Sequence, residues 1–200
     1  MFSGIIQAVG VIEKIEPLAA GVRLTIEAGA LGLGDAKVGD SIALNGACMT
    51  ATSIDGSRFT VDVSRESLDV TAGLGAPGRV NLEKAMALGD RIDGHLVTGH
   101  VDGIGEVTAF EQLGESWRLE VRAPKELGRY IARKGSITVD GVSLTVNRVE
   151  DQPAGAVFEA NLIPHTLQVT TLSRLAPAAK VNLEIDLVAR YLERILSAAR

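Results

Sequence analysis

The chain is poor in several things that whole classes of protein require. Its 200 residues contain one cysteine, which rules out an internal disulfide framework and suits a reducing compartment, so the expected location is cytoplasmic. No apolar run approaches the roughly 20 residues of a membrane-spanning helix, and polar residues follow Met1 too soon for a signal peptide. The net charge is −5 with Lys and Arg scattered, which leaves no basic footprint for nucleic acid. Three histidines stand without a second cysteine or an acidic cluster, so a metal site is not expected. The glycines of Gly73–Gly78 (GLGAPG) mimic a dinucleotide-binding loop, yet Pro77 interrupts them and Arg79–Glu83 alternates like a strand rather than opening a helix. They read as a turn.

What the chain does have is repetition. Val38–Ile54 (VGDSIALNGACMTATSI) is echoed around Lys134–Val149 (KGSITVDGVSLTVNRV): Ser41 lies on Ser136, Ile42 on Ile137, Gly46 on Gly141 and Thr50 on Thr145. Between these identities Asn45 falls on Asp140, Cys48 on Ser143 and Met49 on Leu144. Phe59–Thr71 lies on Phe158–Thr170, VNLE occurs at Val80–Glu83 and again at Val181–Glu184, and Met1–Gln7 aligns weakly with His100–Glu106, placing Gly4 over Gly103. A period of about a hundred residues is far beyond the roughly 20 to 50 of solenoids and indicates tandem domains.

Each half reads as short strands. Gly21–Ala28 alternates Val22, Leu24 and Ile26 with Arg23, Thr25 and Glu27, as a half-buried strand does, and Ile5–Ile15 alternates loosely towards an end at Pro17. Asn45-Gly46 and Asp140-Gly141 each sit between apolar runs as hairpin turns. Strands at this spacing predict an all-β sandwich or small barrel in each half. Helical turns are expected at Arg65–Thr71 and Thr166–Leu172, a helix at Pro124–Arg133, and a final one capped by Asp186. Leu187, Val188, Tyr191, Leu192, Ile195 and Leu196 give that last helix a single apolar stripe, which must be buried on its own barrel or on copies of itself.

Two residue types invite chemistry. His95 and His100 flank HLVTGH, which leaves open a general acid/base histidine or a plain interdomain strand with glycines. Cys48 reads either as a small buried hydrophobe or as a participant, since Ser143 occupies its place in the other half and Thr50 and Thr145 each follow two residues on, on the same strand face. A thiol in one pocket and a hydroxyl in its twin would let the protein hold two like ligands and treat them differently.

Together MFSGII, NGACMT, GHLVTGHVDG, GSITVDGVSLTV, LIPHT and VNLEIDLVARYLERIL, in that order and over essentially the whole chain, resemble the riboflavin synthase family, alpha-chain type with two lumazine-binding repeats. The resemblance implies two similar six-stranded Greek-key β-barrels, residues 1–95 and 96–186, and a C-terminal association helix, 187–200, through which a homotrimer forms. It implies an active site between the first barrel of one subunit and the second of its neighbour, and association with lumazine synthase as a candidate partner. The implied reaction is cofactor-independent: two molecules of 6,7-dimethyl-8-ribityllumazine give riboflavin and 5-amino-6-(D-ribitylamino)uracil by transfer of a four-carbon unit. A fluorescence-antenna protein of the same fold, which binds lumazine or flavin without turnover, is the alternative.

Carried onto this chain, the family's binding residues fall in the first half on Gly4, Ile5, Ile6, Cys48, Met49, Thr50, Asp62, Val63, Ser64, Arg65, Glu66 and Ser67. In the second half they fall on Gly99, His100, Val101, Lys134, Ser143, Leu144, Thr145, Asn161, Leu162, Ile163, Pro164, His165 and Thr166. With aromatics at 4%, ring recognition would rest on backbone groups and hydroxyls. The resemblance implies proton transfer and polarisation by His100 with Ser143 and Thr145, orientation of or addition to the acceptor by Cys48, a covering role for Phe2, and an acid at Asp186. Two departures stand out: Met49 replaces a more usual Leu, and His165 stands where an acid like Glu66 is expected. Cys48→Ser is expected to lower turnover; unchanged turnover would remove the thiol from the chemistry.

Overall fold

The alternating segments of the first half become six strands, β1 (Ala8–Leu18), β2 (Gly21–Glu27), β3 (Ser41–Leu44), β4 (Ala47–Asp55), β5 (Arg58–Ser64) and β6 (Gly78–Lys84). Those of the second half become β7 (Gly103–Leu113), β8 (Ser116–Ala123), β9 (Ser136–Val139), β10 (Val142–Gln152), β11 (Gly155–Leu162) and β12 (Lys180–Ile185). The computed structural model describes residues 1–198. Both sets close into antiparallel barrels with one strand order: β1-β2-β5-β4-β3-β6 and, read in the same sense, β7-β8-β11-β10-β9-β12. Even the irregularities repeat. Bulges interrupt β1 between Ile12 and Lys14 and β7 between Val107 and Ala109, then β4 between Ala51 and Ser53 and β10 between Val146 and Arg148. Such bulges bend a strand so that a small sheet can close on itself.

Each barrel is filled from its own strands. Leu24, Ile26, Ile42, Leu44, Phe59, Val61, Val80 and Leu82 are buried in the first, and Leu119, Val121, Ile137, Val139, Phe158, Val181 and Leu183 in the second. Pro17 does not end β1 as its chemistry suggested. β6 pairs only with Ala8–Ile12, so by Pro17 one side of β1 is an edge, where a missing N–H leaves no ladder bond unmade.

Short helices stand where expected: α1 (Arg65–Val70) and α2 (Pro164–Val169), the latter followed by a 3-10 turn at Thr171–Arg174. Lys125–Tyr130 is a 3-10 helix. The last helix, α3 (Leu187–Ala198), starts with the Asp186 carboxylate accepting from the Val188 N–H at 2.9 Å; positions 199 and 200 of the expected helix lie outside the described residues.

The barrels meet through their hairpin turns. Asn45 (φ 46°) and Asp140 (φ 48°) precede Gly46 and Gly141, also left-handed, as a tight two-residue hairpin requires. The glycines pack backbone to backbone: a Cβ on Gly46 would lie 2.8 Å from the Gly141 nitrogen. Around them the asparagines of the two VNLE copies cross the junction. Asn81 Nδ2 donates to the Asp140 carbonyl at 2.9 Å and Asn182 Nδ2 to the Asn45 carbonyl at 3.0 Å. In return, Asn45 Oδ1 accepts from the Asn81 N–H and Asp140 Oδ1 from the Asn182 N–H, both at 2.8 Å. Buried polar groups that answer one another in this way fix one docking of the barrels rather than many.

Asp140 is the charged member of this set, and burial pushes its carboxyl up to about 7, against a partial downward pull from the Asn182 N–H. The folded chain therefore holds this proton more tightly than the unfolded one. Stability drains away as pH rises from about 4 to about 7 and stays reduced above that. Asn45 shows that a neutral carboxamide fits the equivalent place. Asp140→Asn is expected to raise unfolding stability at pH 8 by on the order of a few kcal/mol and to flatten this pH dependence; urea melts at pH 5 and pH 8 that show the same pH slope in both proteins would refute it.

Candidate active site

The segments leading into the two barrels are exchanged. Phe2–Gly4 precedes the first barrel but runs over the second, where the Gly4 carbonyl accepts from the Ser143 N–H at 2.7 Å. Val97–Gly99 precedes the second barrel but runs over the first, where the Gly99 carbonyl accepts from the Cys48 N–H at 2.8 Å. The segments cross as an antiparallel bridge, Phe2 N–H to the Val97 carbonyl at 2.8 Å and Val97 N–H to the Phe2 carbonyl at 3.0 Å. The upstream repeat therefore sets Gly4 over Gly99, not over Gly103. Weak side-chain similarity hid this register, because Ile5 stands opposite His100 and the shared features are backbone bonds.

A glutamate holds each segment. Glu83 accepts from the Ser3 N–H and hydroxyl, both at 2.7 Å, and from the Gly4 N–H at 3.0 Å. Glu184 accepts from the Thr98 N–H and hydroxyl at 2.7 and 2.6 Å and from the Gly99 N–H at 2.9 Å. Burial raises both carboxyls, and the three donors on each pull the other way. These are the last residues of the two VNLE copies, a repeated acid whose function sequence reasoning did not extract. Gly4 (φ 75°) and Gly99 (φ 79°) are left-handed and crowded: a Cβ would stand 2.7 Å from the Ser143 Cβ and 2.6 Å from the Cys48 Cβ.

Two outward-facing patches result. Beside Cys48 (half-buried) and Thr50 (exposed) on β4 lie Asp62 and Ser64, exposed on β5, with Arg65, Glu66 and Ser67 at the start of α1. Over this patch run Gly99, His100 and Val101, the last packed on the first barrel's core. The twin patch holds Ser143 and Thr145 on β10, Asn161 on β11, and Ile163, Pro164, His165 and Thr166 at α2, with Gly4, Ile5 and Ile6 running over it; Ile6 packs on the second barrel's core. Met49, Val63, Leu144 and Leu162 point into the barrels, so only their backbones reach the patches. Phe2 does not cover an opening. It is wholly buried with Ala43 and Val97, against Cys48.

The polar residues differ between the twins. Asp62 is gripped by Arg23 at 2.7 and 2.8 Å, which lowers its carboxyl pKa, whereas Asn161 is neutral. Lys134 sits left-handed (φ 68°) where the first barrel has Gly39, and its Nζ lies 3.4 Å from Asn147 Oδ1. Ser143 has a partner that Cys48 lacks: His95 Nδ1 lies 2.8 Å from its hydroxyl. The sequence leaves His95 open as a metal ligand or an acid/base residue, and no local spacing brings position 95 to position 143. Larger cavities, of about 530 and 490 Å³, lie near Met86 and Asp90, and neither Cys48 nor Ser143 lines them. Among the described residues no cluster of His, Cys, Asp and Glu has the form of a metal site, and no helix is long and apolar enough to cross a membrane.

The doubled barrel with its doubled patch defines a two-domain lumazine-binding protein. The lumazine binding domain family matches residues 3–85 and 98–186. The chain belongs to the riboflavin synthase family: it is 45% identical to the riboflavin synthase of Mycobacterium bovis over the full length of both, 42% identical to that of Photobacterium phosphoreum over 98% of this chain and 89% of that protein, and 39% identical to that of Bacillus subtilis over 100% and 91%. In fold it is similar to LumP solved with riboflavin, with a TM-score of 0.81 and 25% identity over 92% of this chain and 99% of the other.

Gly99→Ala is expected to force the segment off the Cys48 patch, lowering flavin formation at least tenfold and stability by about 1–3 kcal/mol. Gly56→Ala, equally left-handed but with open space around its Cβ, should leave flavin formation intact. Equal activity in the two variants, read by flavin absorbance alongside thermal melts, would contradict the placement.

Proposed function

We propose that riboflavin forms where the Cys48 patch of one copy of this chain closes on the Ser143 patch of another, within a homotrimer assembled through α3. The observation that carries this reading is that both patches face outward: Thr50, Asp62, Thr145 and Asn161 are exposed on the outer faces of their barrels, with Cys48 and Ser143 half-buried among them. An open face that binds one lumazine gains a second wall, and a second lumazine, only from a neighbour.

α3 supplies the means of assembly. Val188, Tyr191, Leu192, Ile195 and Leu196 are 55 to 70% exposed, forming an apolar stripe that the described residues leave largely uncovered. The opposite side of the helix is tied to its own barrel by Arg190–Asp102 at 2.7 Å and Arg129–Glu193 at 2.9 Å. Residues 1–95 and 96–186 then act as the two lumazine-binding domains and 187–200 as the association element. The lone cysteine fits a cytoplasmic location, and lumazine synthase, which makes the substrate, is a partner by the logic of the reaction sequence.

The chemistry follows from pairing. A proton leaves the C7 methyl of one lumazine; the delocalised anion attacks C7 of the other, and transfer of four carbons completes one ring system while opening its twin. Holding two identical substrates face to face makes the step effectively intramolecular, which supplies up to roughly 7–11 kcal/mol of the barrier. Cys48 orients or adds to the acceptor, and Ser143 and Thr145 serve proton transfer and polarisation. His100 lies on the Cys48 patch of its own chain, so across the interface it joins the Ser143 of the neighbour. Arg65, Glu66 and Ser67 at one rim and Lys134, Asn161, His165 and Thr166 at the other hold the ribityl chains by their polar groups.

Incubation with the lumazine alone is expected to yield flavin absorbance without added cofactor, from a protein whose solution mass is that of three chains. Leu192→Asp is expected to give folded monomers with at least a hundredfold lower turnover. A fully active monomer would overturn the shared site.

A further inference from the structure

The guanidinium that grips Asp62 has a duplicate with different partners. Arg23 on β2 stands directly opposite Asp62 on β5, and Arg118 on β8 stands directly opposite Asn161 on β11. In the first barrel the pair is bidentate, Nε to Oδ1 at 2.7 Å and Nη2 to Oδ2 at 2.8 Å. In the second, Arg118 bonds three glutamates instead: Nη2 donates to Glu111 at 2.9 Å, and Nη1 to Glu159 at 3.2 Å and Glu120 at 3.4 Å. The neighbouring positions account for the difference, because the strand registers set Lys14, Thr25 and Thr60 of the first barrel against Ala109, Glu120 and Glu159 of the second. Lys14 Nζ takes Glu16, which stands opposite Arg23, at 2.8 Å, and the two threonines carry no charge, so Arg23 is left to Asp62. Ala109 has no charge to hold Glu111, and Glu120 and Glu159 complete the set of carboxylates around Arg118. Coordinated differences thus commit one arginine to its patch and its twin elsewhere.

Stability does not account for the Arg23 pair. Its side chains are 43% and 40% exposed, and solvent-exposed ion pairs contribute little to folding. A bidentate guanidinium does fix both carboxylate oxygens in one orientation, and the Arg23 hydrogen bonds hold the Asp62 carboxyl below its usual pKa, so it stays ionised. An ionised carboxylate has no proton to give; the lone pairs that Arg23 leaves open take hydrogen-bond donors alone. Asn161, exposed at the twin place, has both a donor and an acceptor and can present either.

We propose that Arg23 is a positioning residue for the lumazine on the first-barrel patch: it holds Asp62 as a fixed, acceptor-only anchor for a hydrogen-bond donor of the ligand, a ribityl hydroxyl or the ring N3–H. The twin patch, where Arg118 is engaged by glutamates and Asn161 is left free, lacks that requirement. This rests on the reading that each patch binds a lumazine, and deepens it. Asp62 touches the ligand and Arg23 acts through Asp62, so the patches read one molecule differently in binding as well as in their reacting side chains.

Riboflavin alone serves as a probe that does not react, since the return reaction needs the pyrimidine co-product. Arg23→Gln is expected to raise the KM for 6,7-dimethyl-8-ribityllumazine and the Kd for riboflavin, read by quenching of flavin fluorescence, at least fivefold, with kcat changed less than twofold and the melting temperature within about 2 °C. Asp62→Asn should have the same effect, and the double variant should lose little more than either alone. Arg118→Gln should leave both constants within twofold. Two analogues separate the donors: 3-methylriboflavin lacks the ring N–H, and 7,8-dimethyl-10-(2-hydroxyethyl)isoalloxazine lacks the outer hydroxyls. Removing the donor that Asp62 receives should weaken binding to the wild type and not to Arg23→Gln. Unchanged KM and Kd in Arg23→Gln, an equal loss in Arg118→Gln, or penalties for both analogues that persist undiminished in Arg23→Gln would overturn the proposal. Failure of the underlying reading would show separately: Gly99→Ala, which disturbs the segment over the same patch, would then leave the riboflavin Kd unchanged too.

Discussion

Everything in this molecule depends on the crossing of two short backbone segments. Each barrel is capped by the segment that leads into the other, through a pair of hydrogen bonds to Ser143 and Cys48 and an antiparallel bridge between Phe2 and Val97. The exchange costs each segment its freedom, and a buried glutamate with three donors offsets that cost on each side. Because the segments carry Gly4–Ile6 and Gly99–Val101, folding and site construction are one event. No residue can be larger than glycine at Gly4 or Gly99 without moving the hairpin that bears Ser143 or Cys48.

Duplication gives near-equality, and the chemistry needs inequality. The barrels agree in strand order, bulges, turns and the polar residues of their junction. Among the polar residues of the junction and the patches they differ at Asn45 against Asp140, Cys48 against Ser143, Asp62 against Asn161 and Glu66 against His165. Asp140 shows that such a difference has a physical cost, since a carboxylate buried where its twin is a carboxamide binds a proton near neutrality. At the patches the difference sets a thiol in one place against a hydroxyl with an imidazole 2.8 Å away in the other, and under the proposed function it gives two identical substrates unlike surroundings.

Much of this was legible in the residues. Period-two alternation and the Asn-Gly and Asp-Gly turns gave the strands and hairpins, and the shared spacing of NGACMT and DGVSLT placed Cys48 and Ser143 as counterparts. The apolar stripe of α3 was visible as a stripe, though a pattern alone could not say that its own barrel leaves it bare. Two things were out of reach. Segment exchange leaves no mark in periodicity, so the repeat pattern pairs Gly4 with Gly103 while the backbone bonds pair it with Gly99. The His95–Ser143 contact spans 48 residues and belongs to no motif, as contacts made by docking rather than by local sequence do not. The doubled VNLE was seen as a repeat, but its asparagine and glutamate acquire their meaning only when the second barrel and the crossing segments are in place.

The central claim is that the two patches of one chain serve different active sites. Mixing tests it most directly: Cys48→Ala and Ser143→Ala chains, each inactive alone, are dissociated, combined in equal amounts and reassociated before flavin formation is measured. A shared site predicts recovery of about a quarter of wild-type activity, since that share of interfaces in a randomly mixed trimer joins two intact patches. A mixture no more active than its components would contradict it.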